Sequence, residues 1–274
     1  MTMRILGHSL LEPVTSFLRS SHLIYAMAKR DVLGRYRGSV LGILWSFFNP
    51  ILMLAVYTFV FSVIFKARWS AGSDSKAEFA LILFAGMTVF GLFSECITRA
   101  PSLILNNSNY VKKVVFPIEI LPWVAMGSAF FHMIVSLIVW LFVHLIVIGI
   151  PHATALLLPV VLVPLVLLTI GISWVLASLG VYLRDVGHAI GIVTNMLMFL
   201  TPIFYPASAL PDGYRQILLY NPLAFIVEQA RVVLIWGNAP DWAGLAWMTI
   251  VTGGIAWLGF VWFQKTRRGF ADVL

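Results

Sequence analysis

The sequence predicts an all-α membrane protein: six transmembrane helices, an N-terminal amphipathic interfacial helix and a re-entrant helix pair before the last span. The first observation behind this is composition. In 274 residues, 61% are hydrophobic and 11% charged, whereas soluble domains carry roughly 25% charged residues. The second is that stretches free of Asp, Glu, Lys and Arg recur at about the 20 residues a helix needs to cross ~30 Å of hydrocarbon. The third is one apolar run, set between charged residues, that is too short to cross.

Residues 1–38 are expected to form a cytoplasmic and interfacial segment. From Phe17 to Arg37, apolar Leu23, Ile24, Tyr25 and Met27 alternate with Arg19, Lys29, Arg30, Arg35 and Arg37, the composition of a helix lying in the headgroup layer. No short apolar stretch with a small-residue cleavage site precedes these charges, so the amino terminus is expected to stay attached and cytoplasmic. Gly34, Gly38 and Gly42 recur at every fourth residue. That spacing suits a close helix contact or a bend from interfacial helix into the first span.

The six-span core is expected over 39–264. Ser39 to Phe65 is the first span and Phe79 to Thr98 the second, broken only by Glu95. Ile120 to Leu183 is long enough for the third and fourth, with Gly149-Ile150-Pro151-His152 as the turn between them. Val186 to Pro206 is the fifth and Trp242 to Gln264 the sixth, ahead of a cytoplasmic tail, 265–274. In the re-entrant segment, 210–236, Asp212, Arg215, Glu228 and Arg231 bracket the apolar run from Ile217 to Val227. Asn221-Pro222 is the break, because proline disfavours helical geometry in the residue before it. The chain reads as a single membrane domain.

Orientation follows from the basic residues. With both termini inside, thirteen of the eighteen Lys and Arg fall in cytoplasmic segments, as the positive-inside rule requires. The net charge of +7 therefore reflects topology and anionic lipid, and no nucleic-acid partner is expected.

The pattern lacks enzymatic machinery. No Lys follows a Gly, so there is no phosphate-cradling GxxxxGK[ST] loop, and HExxH, G-x-S-x-G and EF-hand patterns are also missing. No catalytic or metal-binding residue is assigned, and nucleotide energy has to come from a partner. Cys96 stands alone, which excludes an internal disulfide, and reads as a small packing residue. His132 and His144, twelve residues apart in the third span, are ionisable groups to weigh as a proton relay. The plainer reading is neutral rings bonded to a neighbouring helix. Glu95 and Arg99 are one helical turn apart and suit a local ion pair. The loop after the second span, from Arg99-Ala100-Pro101 to Phe116-Pro117, accommodates a short helix with Pro101 in its first turn.

Several motifs along the chain carry a resemblance. Arg30-Asp31-Val32 with Arg35-Tyr36-Arg37, then Ser39, Leu41-Gly42, Trp45 and Asn49-Pro50, closing with Val60 to Phe65, is similar to the opening of the ABC type 2 permeases that export polysaccharides (O-antigen, capsule or teichoic acid). Asn107-Ser108 before Val111-Lys112-Lys113-Val114 and Phe116-Pro117 resembles that family's first cytoplasmic coupling segment. Tyr182-Leu183-Arg184-Asp185, Thr201 to Pro206, and Asn221-Pro222 followed by Arg231 resemble its later signatures. Tyr110 and Ile118 depart from the pattern.

The resemblance implies a homodimeric permease in the bacterial inner membrane. Two copies of a cytoplasmic ABC ATPase would bind ATP and Mg, this chain holding no cofactor, and the cargo would be a polysaccharide or lipid-linked glycan. A permease for a drug or simple lipid is the alternative. ATPase coupling falls to Asn107, Ser108, Lys112, Lys113, Arg184 and Asp185. The interfacial-helix residues are Arg30, Asp31, Arg35, Tyr36 and Arg37. A substrate pathway is assigned to Trp45, Phe48, Tyr57, Phe199, Phe204 and Tyr205, because flat aromatic faces hold a sliding sugar chain without the directional bonds that would trap it.

Overall fold

The computed structural model describes residues 12–64, 69, 76–111, 116–211, 213, 218 and 220–274. All regular structure among them is helical. Glu12–Arg19 (α1) and Ser21–Tyr36 (α2) lead into Trp45–Tyr57 (α3), which continues as a wider coil over Thr58–Ile64. Lys76–Arg99 (α4) follows, then a chain of short turns ending in Ser108–Val111 (α5). Leu121–Val147 (α6) and Leu158–Tyr182 (α7) form an antiparallel hairpin. Val186–Leu200 (α8), Pro222–Leu234 (α9), Trp242–Thr266 (α10) and Phe270–Val273 (α11) complete the fold.

Among the described residues, five helical stretches are long and apolar enough to cross a membrane: Gly42–Phe61, Ala77–Ser102, Ile118–Val147, Ala153–Tyr182 and Trp242–Val273. The first, second, third, fourth and sixth expected spans correspond to these. The fifth does not form one continuous helix to Pro206. Its helix stops at Leu200 after 15 residues, about 22 Å at 1.5 Å per residue. The stop has a local cause: Pro202 forces Thr201 out of the helical region, to φ −92°, ψ 138°.

α4 is the central helix, with 78% of its apolar stretch buried against α6, α7, α8 and α9. α7 and α10 make the closest helix pair. A Cβ on Gly171 would stand 2.7 Å from the Ala256 Cα, and one on Gly259 would overlap the Gly171 carbonyl oxygen. α3 is the opposite case, since only Ser46 and Leu54 of its residues are buried.

The bend expected after the interfacial helix is real. Gly38 and Gly42 take φ of +86° and +53°, a region open mainly to glycine, and they turn the chain from α2 into α3. Gly149, at φ +112°, makes the expected turn between α6 and α7. α2 is not two-sided in the simple sense. Tyr25, Leu33 and Arg35 are exposed while Asp31 is half-buried, because the buried side of the helix carries charge as well as Ile24, Met27, Ala28 and Val32. In residues 210–236, expected to re-enter the membrane, a helix begins at Asn221-Pro222. α9 starts at Pro222, and the Asn221 side chain caps it by accepting from the Leu223 amide at 3.0 Å. Most of the stretch from Asp212 to Leu219 lies outside the described residues.

Candidate functional site

Two polar constructions and one aromatic cluster organise the molecule. The first joins α2, α4 and α6. Asp31 accepts from Arg99 at 2.7 Å, Arg35 reaches Glu95 at 2.5 Å, and Glu95 also lies 3.6 Å from Arg99. His132 on α6 closes the network, with Nδ1 2.9 Å from Glu95 and Nε2 3.1 Å from the Tyr36 hydroxyl. A carboxylate only accepts, so Nδ1 carries the proton, and in the neutral ring Nε2 accepts from Tyr36. Burial alone would raise the Asp31 carboxyl; the Arg99 hydrogen bond and charge, the Ser128 hydroxyl and Arg35 outweigh it and hold the group below its ordinary value.

Three of the expected interfacial residues, Asp31, Arg35 and Tyr36, thus reach membrane helices through one network. Arg30 faces elsewhere, donating to the Tyr110 hydroxyl at 3.3 Å, and Tyr110 stacks on Phe116 at 4.3 Å. Tyr110, a departure from the family pattern, therefore pins the loop after α4 to α2. Arg37 is exposed. His132 and His144 do not form a relay: His144 Nδ1 meets the Gly149 carbonyl oxygen at 2.9 Å and serves the turn at the far end of α6.

The second construction is built on Arg231, which is fully buried. Its guanidinium donates to the carbonyls of Ile82 (3.2 Å), Pro202 (2.6 Å) and Ile203 (2.9 Å) and lies 4.3 Å over the Trp69 ring. Residues after α8 have no helical partners for their carbonyls, and a forked cation supplies donors in their place. Gly86 leaves room for it, since a Cβ there would meet Arg231 Nη2 at 2.6 Å.

The aromatic cluster lies beside this arginine. Phe204 contacts Tyr57 (6.1 Å between ring centroids), Phe61 (5.3 Å, stacked) and Phe199 (5.4 Å). The Tyr205 hydroxyl donates to the Phe199 carbonyl at 2.9 Å. Four of the expected pathway residues, Tyr57, Phe199, Phe204 and Tyr205, are therefore brought together. Trp45 and Phe48 pair with each other at 6.3 Å near the other end of α3. Phe61, Phe79 and Trp69 extend the cluster toward Arg231. Phe79 and Trp69 carried no signal, because only the fold brings them near span one.

Of the expected coupling residues, Asn107 donates to the Leu103 carbonyl at 2.9 Å and Ser108 opens α5. Arg184 and Asp185 are exposed at the α7–α8 turn, and Lys112 and Lys113 lie outside the described residues. A Cβ on Gly180 would overlap the Pro101 carbonyl oxygen, so the end of α7 rests directly on the turn after α4. Arg267 pairs with Glu119 at 3.0 Å, Tyr182 donates to the Thr266 carbonyl at 2.9 Å, and Phe270 is fully buried. The tail is thereby fastened to this same end. Among the described residues, no group of three or more His, Cys, Asp or Glu could hold a metal ion.

Residues 22–235 match the ABC-2 type transporter family. Over 252 residues, 91% of this chain and 94% of the relative, the sequence is 26% identical to the O-antigen export system permease protein RfbA of Myxococcus xanthus. It is likewise 26% identical to the protein of that name from Klebsiella pneumoniae, over 92% of this chain and 95% of the relative. The polysialic acid transport protein KpsM of Escherichia coli is 22% identical over 89% of this chain and 93% of the relative.

Proposed function

Because the chain belongs to the ABC-2 type transporter family, we propose that it is the membrane-spanning permease of an ATP-driven exporter for polysaccharide or lipid-linked glycan. The observation that carries this reading is the near end-to-end match to permeases named for O-antigen and polysialic acid transport. The chain has no GxxxxGK[ST] loop, so a separate ABC ATPase, in two copies, binds ATP and Mg and does the hydrolysis. The permease itself is no enzyme.

In this proposal the chain crosses the bacterial inner membrane six times as a single domain with both termini cytoplasmic. α8 and the turn residues after it make the fifth crossing, and the segment ending in α9 dips in and returns. Two copies pair through surfaces such as α3, whose residues are nearly all unburied within one chain. The ATPase pushes on Asn107 to Lys113 and on Arg184-Asp185. The contact of Gly180 with Pro101 supports joint movement of those two regions, and the Arg30–Tyr110 bond supports transfer to the interfacial helix. Tyr57, Phe199, Phe204 and Tyr205 offer the cargo apolar faces, with Trp45 and Phe48 at the opposite end of α3.

The test is deletion of this chain followed by localisation of lipid-linked glycan. Glycan stranded in the cytoplasm, restored to the surface only when both permease and ATPase are supplied, is the expected result. Normal surface glycan with defective export of a drug or simple lipid defeats the cargo assignment. Transport by the purified chain driven by an ion gradient alone defeats the ATPase requirement.

A further inference from the structure

Along α2 two cavities lie side by side. One, of about 550 Å³, runs between α2 and α6 and is walled chiefly by apolar groups, among them Phe17, Ile24, Val32, Trp123 and Phe130. The other, of about 540 Å³, is bordered by Lys29, Arg30 and Arg37. Lys29, Leu33 and Ile43 line both, so the apolar groove opens into the basic recess across a shared wall. Among the described residues, no carboxylate lines either one. The single acid of α2, Asp31, is turned into the network and held by Arg99 at 2.7 Å. Arg35 is likewise committed to the network, which leaves Lys29 and Arg30 of α2, with Arg37 just beyond its end, bordering the recess.

We propose that this compound cavity binds one anionic glycerophospholipid of the surrounding bilayer, an acyl chain in the apolar groove and the phosphate against Lys29, Arg30 and Arg37. The two halves match the two halves of such a molecule: burying methylene groups drives the chain in, and cations at the headgroup level select a negative phosphate. A zwitterionic lipid gains the first and little of the second. The bound lipid wedges α2 against α6 beside the close contact of Ala28 with Gly127, where an added Cβ would stand 2.9 Å from the Ala28 Cβ. This inference needs only a membrane-embedded chain and is independent of the cargo.

The experiment uses the full chain with its ATPase partner, purified in detergent, stripped of lipid and titrated with phosphatidylglycerol or phosphatidylcholine. Native mass spectrometry counts the bound lipid and thermal unfolding reports its effect. One tightly held phosphatidylglycerol per chain is expected, with a rise in melting temperature that phosphatidylcholine does not give. Lys29→Ala with Arg37→Ala should weaken phosphatidylglycerol binding about 30-fold, roughly fivefold per cation at the membrane surface. Arg268→Ala in the tail should leave it unchanged. Leu33→Trp, which fills the shared wall, should remove the bound lipid while the stripped protein still unfolds cooperatively. Equal retention of the two lipids, wild-type binding by the double variant, or displacement of phosphatidylglycerol by a polyprenyl phosphate at equal concentration overturns the assignment.

Discussion

The Arg231 guanidinium donates a 2.6 Å hydrogen bond to the Pro202 carbonyl oxygen, joining the buried face of α9 to the point where α8 has just ended. Arg231→Met should therefore leave the carbonyls of Pro202 and Ile203 without donors in the interior, while that of Ile82 keeps its helical partner within α4. A loss of about 3 kcal/mol is expected, since each buried unpaired acceptor costs ~1–3 kcal/mol and removal of the buried charge offsets part of the sum. Arg231→Lys should lose less, because an ammonium keeps the charge but not the fork. Thermal unfolding in detergent checks this, and a Met variant as stable as wild type removes the structural role given to the arginine.

Asp31 and Arg99 should be energetically coupled. Their side chains are 30% and 27% exposed, so a double-mutant cycle of Asp31→Asn and Arg99→Gln is expected to give about 1 kcal/mol, within the ~0.5–3 kcal/mol range of direct partners. Additive losses mean the pair is only a neighbourhood.

Acid should loosen the same contact. The folded-state value of Asp31 lies below its ordinary 3.8, so the unfolded chain binds the proton more readily. Its stabilisation is in place above that ordinary value and is lost as pH falls through the lower folded-state value. Melting curves taken across this acidic window should show a steeper decline for wild type than for Asp31→Asn. Parallel curves contradict the sign.

Glycines on α7 and α10 should differ by position. Gly171→Ala has to push its backbone neighbours on Ala256 apart, at about 1–3 kcal/mol. Gly253→Ala meets nothing within 4 Å and should be neutral or stabilising by up to ~1 kcal/mol through helix propensity. Equal melting temperatures for the two variants argue against the close α7–α10 contact.

Tyr57 and Phe204 should matter to transport more than to folding. Phe204→Leu removes three ring contacts and keeps bulk. Export in reconstituted vesicles should fall about twofold to tenfold, the equivalent of ~0.5–1.5 kcal/mol of aromatic interaction, with ATP hydrolysis retained. Unaltered export assigns the cluster to packing.

Much of this architecture was legible because it depends on local rules. Charge-free length located the long helices, Gly149 marked the hairpin turn, and Asn221-Pro222 marked the start of α9. The end of α8 was equally local: Thr201-Pro202 is visible in the sequence, but the apolar run continuing to Pro206 hid it. What could not be read were pairings between distant positions. The local pair of Glu95 with Arg99 was legible, but its contacts with Arg35 and His132 exist because α2 and α6 flank α4. Arg231 read as a charge bracketing a short apolar run, while its burial depends on carbonyls freed 28 and 29 residues earlier. Trp45 and Phe48 shared a span with Tyr57, yet twelve residues of helix separate Trp45 from Tyr57 by about 18 Å, enough to put them at opposite ends.

α3, with its outward-turned side chains, also bears on how such proteins diversify. A helix that leans on almost nothing in its own chain can exchange one apolar or aromatic residue for another without disturbing the folded bundle. Selection can then reshape whatever meets that surface, cargo or second copy, one position at a time, while the tightly packed α4 at the centre tolerates far less. Related sequences should therefore drift faster along the outer flank of α3, apart from the shared Trp45 and Asn49-Pro50, than along α4.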